Sequence, residues 1–240
     1  MNTSKNKKGA NEKHFQPAAF FDLDGTLLSA NSGKLWLQRE RRMGRLDNRQ
    51  TLLGIWYLAL YKAGIIDMEK VTVEALKTVK GEKEETLRRW THAWFQETVV
   101  PHVAPASDNA LAFHRSQGHP LVLLTSSSRY ESEAAVEHFN LDHFLCMGYE
   151  VSHGRFTGEV RKPLCFGQGK VIHAEKFALD HGVSLEKSFF YSDSVTDLPM
   201  LRRVGRPVAV NPDFRLSRYA SKLGWPIMDW STPSGFIIPK

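Results

Sequence analysis

The sequence predicts an α/β protein: a parallel sheet covered by helices on both faces, opened after its first strand by a helical insertion. Two observations predict it. Short apolar runs rich in β-branched and aromatic residues alternate with segments of helical period, and that alternation implies parallel strands joined by crossover helices. The first apolar run is also separated from the second by far more chain than one crossover needs.

The strand candidates, in order, are "AAFFDLD", "HPLVLLTS", "HFLCMG", "SFFYSD" and "RPVAVN", each short and bounded by polar or turn residues. Helical patterns lie between most of them, at residues 131–139, 170–181 and 197–203. "GYEVSHGRFTGEV" reads as a hairpin turning at His153 and Gly154. Asp22 and Thr125 stand about 100 residues apart, several times the span of a βα crossover. Within that gap residues 34–43, 50–63, 68–79 and 82–98 show helical patterns and no good strand. The expected organisation is therefore a basic, disordered tail at 1–16, a core at 17–30 and 106–240, and a helical cap at 31–105.

Composition sets outer limits. The chain has 240 residues with 42% hydrophobic content, enough to bury a sizeable core. Half of the net charge of +6 comes from Lys5, Lys7, Lys8 and Lys13 against Glu12, so the body carries no nucleic-acid signature and no nucleic-acid partner is expected. Residues 1–16 have neither an apolar stretch nor a small-residue cleavage site, which argues against a secretory signal. The longest uncharged run, 51–61, is far below the roughly 20 residues of a bilayer span, so no stable membrane insertion is expected. Cys146 and Cys165 have no disulfide-scaffold spacing, which fits a reducing, cytoplasmic setting. Nothing in these features bears on oligomeric state.

In parallel sheets ligands gather at the carboxyl ends of the strands. Three predicted strands carry polar residues there: Asp22 and Asp24, Thr125 and Ser126, and Asp193. An ionised aspartate at a strand end can be a nucleophile, a metal ligand or a helix cap. Two carboxylates one residue apart repel unless a cation sits with them, and a hard oxygen site with few protein ligands suits Mg²⁺. With its charge shielded, a carboxylate can attack phosphorus. The ten histidines show no metal-ligand spacing of the HExxH kind and no triad context.

These residues carry a resemblance. "DLDGTLL" resembles the first motif of the haloacid dehalogenase superfamily, Thr125 closing "LVLLT" its second, Lys170 its third and "YSDSVTDLPML" its fourth. "FTGEV", "GK", "DLPML" and "AVNPD" are similar to the phosphoserine-phosphatase-like branch, subfamily IB. The resemblance implies a Rossmann-like three-layer core with an all-helical cap and a Mg²⁺-dependent phosphatase acting on a small phosphorylated metabolite. Asp22 would be the nucleophile. Asp24 would be the general acid and then base, since the superfamily's dehalogenases lack that aspartate and its ion pumps carry threonine there. Mg²⁺ would be held by Asp22, the Asp24 carbonyl and Asp193. Thr125, Ser126 and Lys170 would bind the phosphoryl group, and Asp197 would orient Lys170 or a bound water.

Plainer readings stand beside these. Lys170 opens a helical pattern and could be a surface lysine, Asp197 could cap the helix from Leu198, and Ser127 and Ser128 read as loop with a cap role. Trp36, Trp56, Tyr57, Tyr61, Trp90 and Trp94 read as cap core, and Arg39, Arg41, Arg42 and Arg45 as a solvated helix face. Where phosphoserine phosphatases have a glutamate for the substrate ammonium, nine residues after the nucleophile, this chain has Asn31. Phosphoserine is therefore disfavoured unless a shifted carboxylate such as Glu40 replaces it. Histidinol phosphate and lipid phosphates remain open, as does a phosphotransferase. A non-catalytic phosphate-binding protein on the same fold is the alternative of a different class.

Overall fold

The computed structural model describes residues 15–44, 47–62, 72–73, 76 and 79–239. Residues 1–14 of the tail expected at 1–16, most of the helical pattern at 68–79, Arg45 and the Tyr61 side chain lie outside the described residues; Gln16, expected in the tail, instead pairs with Val183 beside the core. Strand β1 (Ala19–Phe21) is buried on both faces, with Ala18 through Phe21 at 0% exposure. That is the position of a central strand in a covered sheet, and it explains why this run is apolar throughout rather than alternating.

Among the described residues the sheet has seven strands in the order β4-β3-β2-β1-β5-β6-β7: β2 (Leu121–Ser128), β3 (His143–Ser152), β4 (Arg155–Arg161), β5 (Phe189–Ser192), β6 (Arg206–Val210) and β7 (Ile227–Met228). Every pair is parallel except β3 with β4. That pair is the hairpin read from the sequence. His153 and Gly154 both take positive φ, 48° and 73°, the conformation a two-residue hairpin turn requires. The chain builds outward from β1 to β2 and β3, then returns to place β5 on the other side of β1. The order therefore reverses at β1, where such sheets open a crevice.

Helices cover both faces: α4 (Ser107–Ser116), α5 (Arg129–Phe139), α6 (Gln168–His181), α7 (Leu198–Arg203) and α8 (Phe214–Leu223). Successive strand residues face opposite sides. Phe21, Leu121, Leu123 and Tyr191 pack with Leu111 of α4 and with Trp230, whereas Phe20, Val122, Leu124 and Phe190 pack with Phe177 of α6 and Leu201 of α7. Two cores flanking one sheet make a three-layer α/β fold. Helices α4 and α8 and the two-residue β7 have no counterpart among the elements expected from the sequence. The apolar periodicity of α4 is interrupted by His114, which is itself buried.

Between β1 and α4 the described chain is helical: α1 (Ser32–Arg42), α2 (Asn48–Lys62) and α3 (Glu84–Trp94). The last continues as a wider π-helical turn over Phe95–Val99, where a single helix had been expected. Helices α1 and α2 pack at Gly54, where a β-carbon would lie 2.9 Å from the Leu37 side chain. The cap aromatics do not all pack inside as expected. Trp36 meets Trp94 edge to face at 5.1 Å, whereas Trp56, Tyr57 and Trp90 are exposed. In α2 apolar residues lie on all sides, so one face of described residues cannot be turned inward. Among the described residues no helix is long and apolar enough to cross a membrane.

Candidate active site

The site is assembled from the carboxyl ends of β1, β2 and β5 and the first turn of α6. Asp22 follows β1 directly, its N–H donating to the Tyr191 carbonyl at 3.0 Å, so the strand ladder itself fixes the residue. The residue is 8% exposed. Burial pushes its carboxyl up to about 8; the Lys170 ammonium opposes this and the carboxylates of Asp197 and Asp193 add to it.

Lys170 is 2% exposed, which rules out the surface reading. Its Nζ donates to Asp22 Oδ1 at 3.0 Å and to Asp197 Oδ2 at 2.8 Å. A buried ammonium is tolerated because two carboxylates satisfy it. The helix start that delivers it depends on Gly169, where a β-carbon would lie 1.8 Å from the Leu164 carbonyl oxygen; no other residue fits that approach. Asp197 precedes α7 but makes no side-chain cap. Its Oδ2 instead accepts from Lys170 and from Ser192 Oγ at 2.7 Å.

Asp24 faces different partners from Asp22. Its Oδ1 accepts from the Ser32 N–H and its Oδ2 from Asn31 Nδ2, both at 2.9 Å. The carboxylate is thus held by the start of α1, and the acid of the core is anchored to the first turn of the insertion. Asn31 caps the same helix, its Oδ1 accepting from the Lys34 N–H at 2.9 Å, so both ends of its amide are engaged. Glu40 pairs with Arg39 at 3.0 Å.

Asp193, 7% exposed, lies against the β1 loop. Gly25 has φ of 74°, and a β-carbon there would stand 2.2 Å from Asp193 Oδ2. The Asp193 carboxylate therefore packs against the loop that follows Asp24 at a point only glycine can occupy, and its charge is felt by the Asp22 carboxylate. Such hard oxygen donors, few in number, fit Mg²⁺ with retained waters. Thr125 is buried, with Oγ1 accepting from the Ser127 N–H at 3.1 Å. Regular pairing of β2 with β3 runs to Leu124 and then shifts register before Ser128. The strand thus extends past Ser126, and its irregular stretch carries Thr125 and Ser126. Ser128 caps α5, accepting from the Glu131 N–H at 3.3 Å.

Three contributors escaped the sequence reading. Ser192 holds Asp197. Asp213 accepts from the N–H groups of Val195 and Leu216, at 2.7 and 2.8 Å, while its own N–H donates to the Asp193 carbonyl; an aspartate at a strand-to-helix junction signals such a cap. Glu131, 8% exposed beside Asp24, had no signal beyond being an acid in a helix's first turn, an ordinary place for one.

A family model of haloacid dehalogenase-like hydrolases matches residues 19–202, which include every one of these side chains except Asp213 and the α8 residues it caps. The chain belongs to that family. This haloacid dehalogenase-like hydrolase is 28% identical over 217 residues to a histidinol-phosphatase of Neisseria meningitidis, covering 88% of this chain and 98% of the relative. It is 29% identical to phosphoserine phosphatase SerB1 of Mycobacterium tuberculosis, over 89% of this chain and 70% of that one. Among solved structures, a protein of unknown function from Bordetella pertussis Tohama I superposes with a TM-score of 0.81 at 26% identity, covering 90% of this chain and 99% of that one. A phosphoserine phosphatase carrying a phospho-aspartyl intermediate analogue superposes at 0.67 with 16% identity, over 91% and 94% of the two chains, a likeness of fold.

Proposed function

We propose that this hydrolase is a Mg²⁺-dependent phosphomonoesterase working through an aspartyl-phosphate on Asp22, with a small phosphorylated metabolite as substrate. The observation that carries the reading is the Lys170 ammonium buried between Asp22 and Asp197, at a strand end where a second aspartate is held two residues on. The matched family and the phosphatase names of relatives at 28–29% identity support it.

In this reading an Asp22 carboxylate oxygen attacks phosphorus as the bond to the leaving oxygen breaks, and Asp24 gives its proton to the departing alcohol. Water then attacks the acyl-phosphate, Asp24 takes its proton, and phosphate leaves with Asp22 restored. Lys170, the Thr125 hydroxyl and Ser126 meet the charge on the phosphoryl oxygens. Asp22, the Asp24 carbonyl and Asp193 would hold Mg²⁺, which supplies positive charge to the nucleophile and the phosphoryl group. Burial works against the charged form of Asp22, so positive charge added beside it favours the carboxylate that attacks.

Hydrolysis of an aryl phosphate tests this. Turnover should require Mg²⁺, vanish in chelator and vanish in Asp22→Asn, whose cooperative thermal transition shows that it is folded. Full activity in chelator, or in Asp22→Asn, would overturn the mechanism.

A further inference from the structure

Helix α2 is apolar on two sides, and α1 covers one of them. Gly54 lies against the Leu37 side chain, and Gly54 and Ile55 are half-buried. On the other side Leu52, Leu53, Trp56 and Tyr57 are 69, 52, 60 and 41% exposed. Residues three and four apart share a helix face, so these four form one stripe, and the exposed Arg49 continues it toward the start of the helix. A contiguous patch of large exposed apolar side chains marks a contact surface.

The charge around the stripe says what meets it. Residues 32–62 carry seven lysines and arginines against Glu40 and Asp47, a net charge of +5 where the whole chain has +6. Glu40 is itself paired with Arg39. Arg41, Arg42 and Met43 at the end of α1 are exposed. The short connection makes α1 and α2 antiparallel, and counting back from the contact of Leu37 with Gly54 brings Arg42 level with Arg49. The basic end of this hairpin therefore borders the apolar stripe. A second copy of the chain is a poor occupant, because a two-fold contact sets the same positive charges on both of its sides. The stripe from Arg49 to Tyr57 is also only about 12 Å long, far short of the roughly 800 Å² per partner of a stable interface. A bilayer with anionic headgroups suits both features: leucine, tryptophan and tyrosine enter the boundary between headgroups and acyl chains, while the arginines meet the negative headgroups. At 15 residues α2 is too short to span, so it would lie in the plane of the surface.

We propose that the exposed face of α2, with the basic end of the α1–α2 hairpin, is a peripheral docking surface for anionic lipid bilayers. Leu52, Leu53, Trp56 and Tyr57 anchor it, and Arg41, Arg42 and Arg49 supply the attraction. The inference is independent of the phosphomonoesterase reading and concerns where the protein sits, not what it hydrolyses.

The experiment sediments the full chain with vesicles of phosphatidylcholine alone and of phosphatidylcholine containing about 30 mol% phosphatidylglycerol. Binding should be about tenfold or more tighter to the anionic vesicles, and should weaken as salt is raised. Leu53→Gln combined with Trp56→Gln should weaken it about tenfold or more, and Arg42→Gln combined with Arg49→Gln about threefold or more. All four positions are exposed, so both variants should keep a cooperative thermal transition; if one does not fold, the other decides. Undiminished binding in a folded variant would assign the attraction to the basic residues 1–16 or to overall charge, and overturns the inference. So does a lack of binding to anionic vesicles, or equal binding to both kinds. A dimer in solution that the Leu53 and Trp56 substitutions dissociate would make this face a subunit interface and overturn the inference too. Ester turnover enters none of these measurements, so their failure leaves the proposed mechanism standing.

Discussion

Lys170 shows how one side chain ties the site together. Its ammonium bridges residues that follow different strands, Asp22 after β1 and Asp197 after β5, so two carboxylates and one ammonium share a single buried charge system. Asp24 stands apart, gripped by Asn31 and Ser32. For Asp24→Asn both halves of the reaction should slow, because an amide neither protonates an alcohol nor activates water. With a good leaving group the first half suffers less, so phosphorylated protein should accumulate and be seen as a mass increase. A wild-type rate on such an ester would remove Asp24 from the acid and base role. Gly25→Ala should be harmful for two reasons: the positive φ disfavours any side chain, and the new methyl would occupy the space of Asp193 Oδ2. The expected result is about 1–3 kcal/mol of lost stability and a higher Mg²⁺ concentration for half-maximal activity, read from denaturation and from a metal titration.

At the scale of elements, α4 and β5 are joined by a buried polar chain away from the catalytic end. His114 Nε2 pairs with the Tyr191 hydroxyl and its Nδ1 with His119 Nδ1, both at 2.8 Å. Burial, with His119 beside it, lowers the His114 pKa to about 3. The unfolded chain, with a histidine near 6.5, then binds a proton that the folded chain refuses. Stability should be fully present above about pH 6.5 and fall as pH drops toward 3, by at most about 1.4 kcal/mol per unit from this group. His114→Gln should weaken packing but flatten the acid side of the profile. Thermal melts from pH 7 to pH 5 check this, and an equally steep fall in the variant would assign the acid sensitivity elsewhere. Another seam joins insertion to core, where Arg88 of α3 reaches Glu133 of α5 at 3.0 Å and Tyr130 reaches Glu84 at 3.2 Å. These partly exposed contacts bear on how α3 sits on α5 more than on stability.

For the whole molecule, the order reversal at β1 gathers Asp22, Asp193 and Lys170 at the carboxyl ends of the central strands. Calcium substituted for magnesium should restore little turnover in chelated protein, because its looser and higher coordination misplaces the attacking carboxylate. Calcium activity equal to that with magnesium would show that in-line geometry does not depend on the ion. Local sequence signals show the alternation of strands and helices, the helical patterns between the first two strands, and Asp22, Asp24, Thr125 and Asp193 as candidates, whereas Lys170 and Asp197 come from the family resemblance. Apolar runs ending in polar residues are local signals, and local periodicity is what one chain displays. It left α4, α8 and β7 undetected; a buried histidine breaks the apolar pattern of α4, and two residues carry no period in β7. Packing of the folded chain is what settles which carboxylates share Lys170, that Asn31 serves Asp24 and α1, and that Glu131 is buried with one oxygen unpaired. Partners distant in sequence, 148 residues apart for Lys170 and Asp22, meet through packing of the sheet. Burial of an acid in a helix's first turn depends on what the fold lays over it rather than on the helix itself.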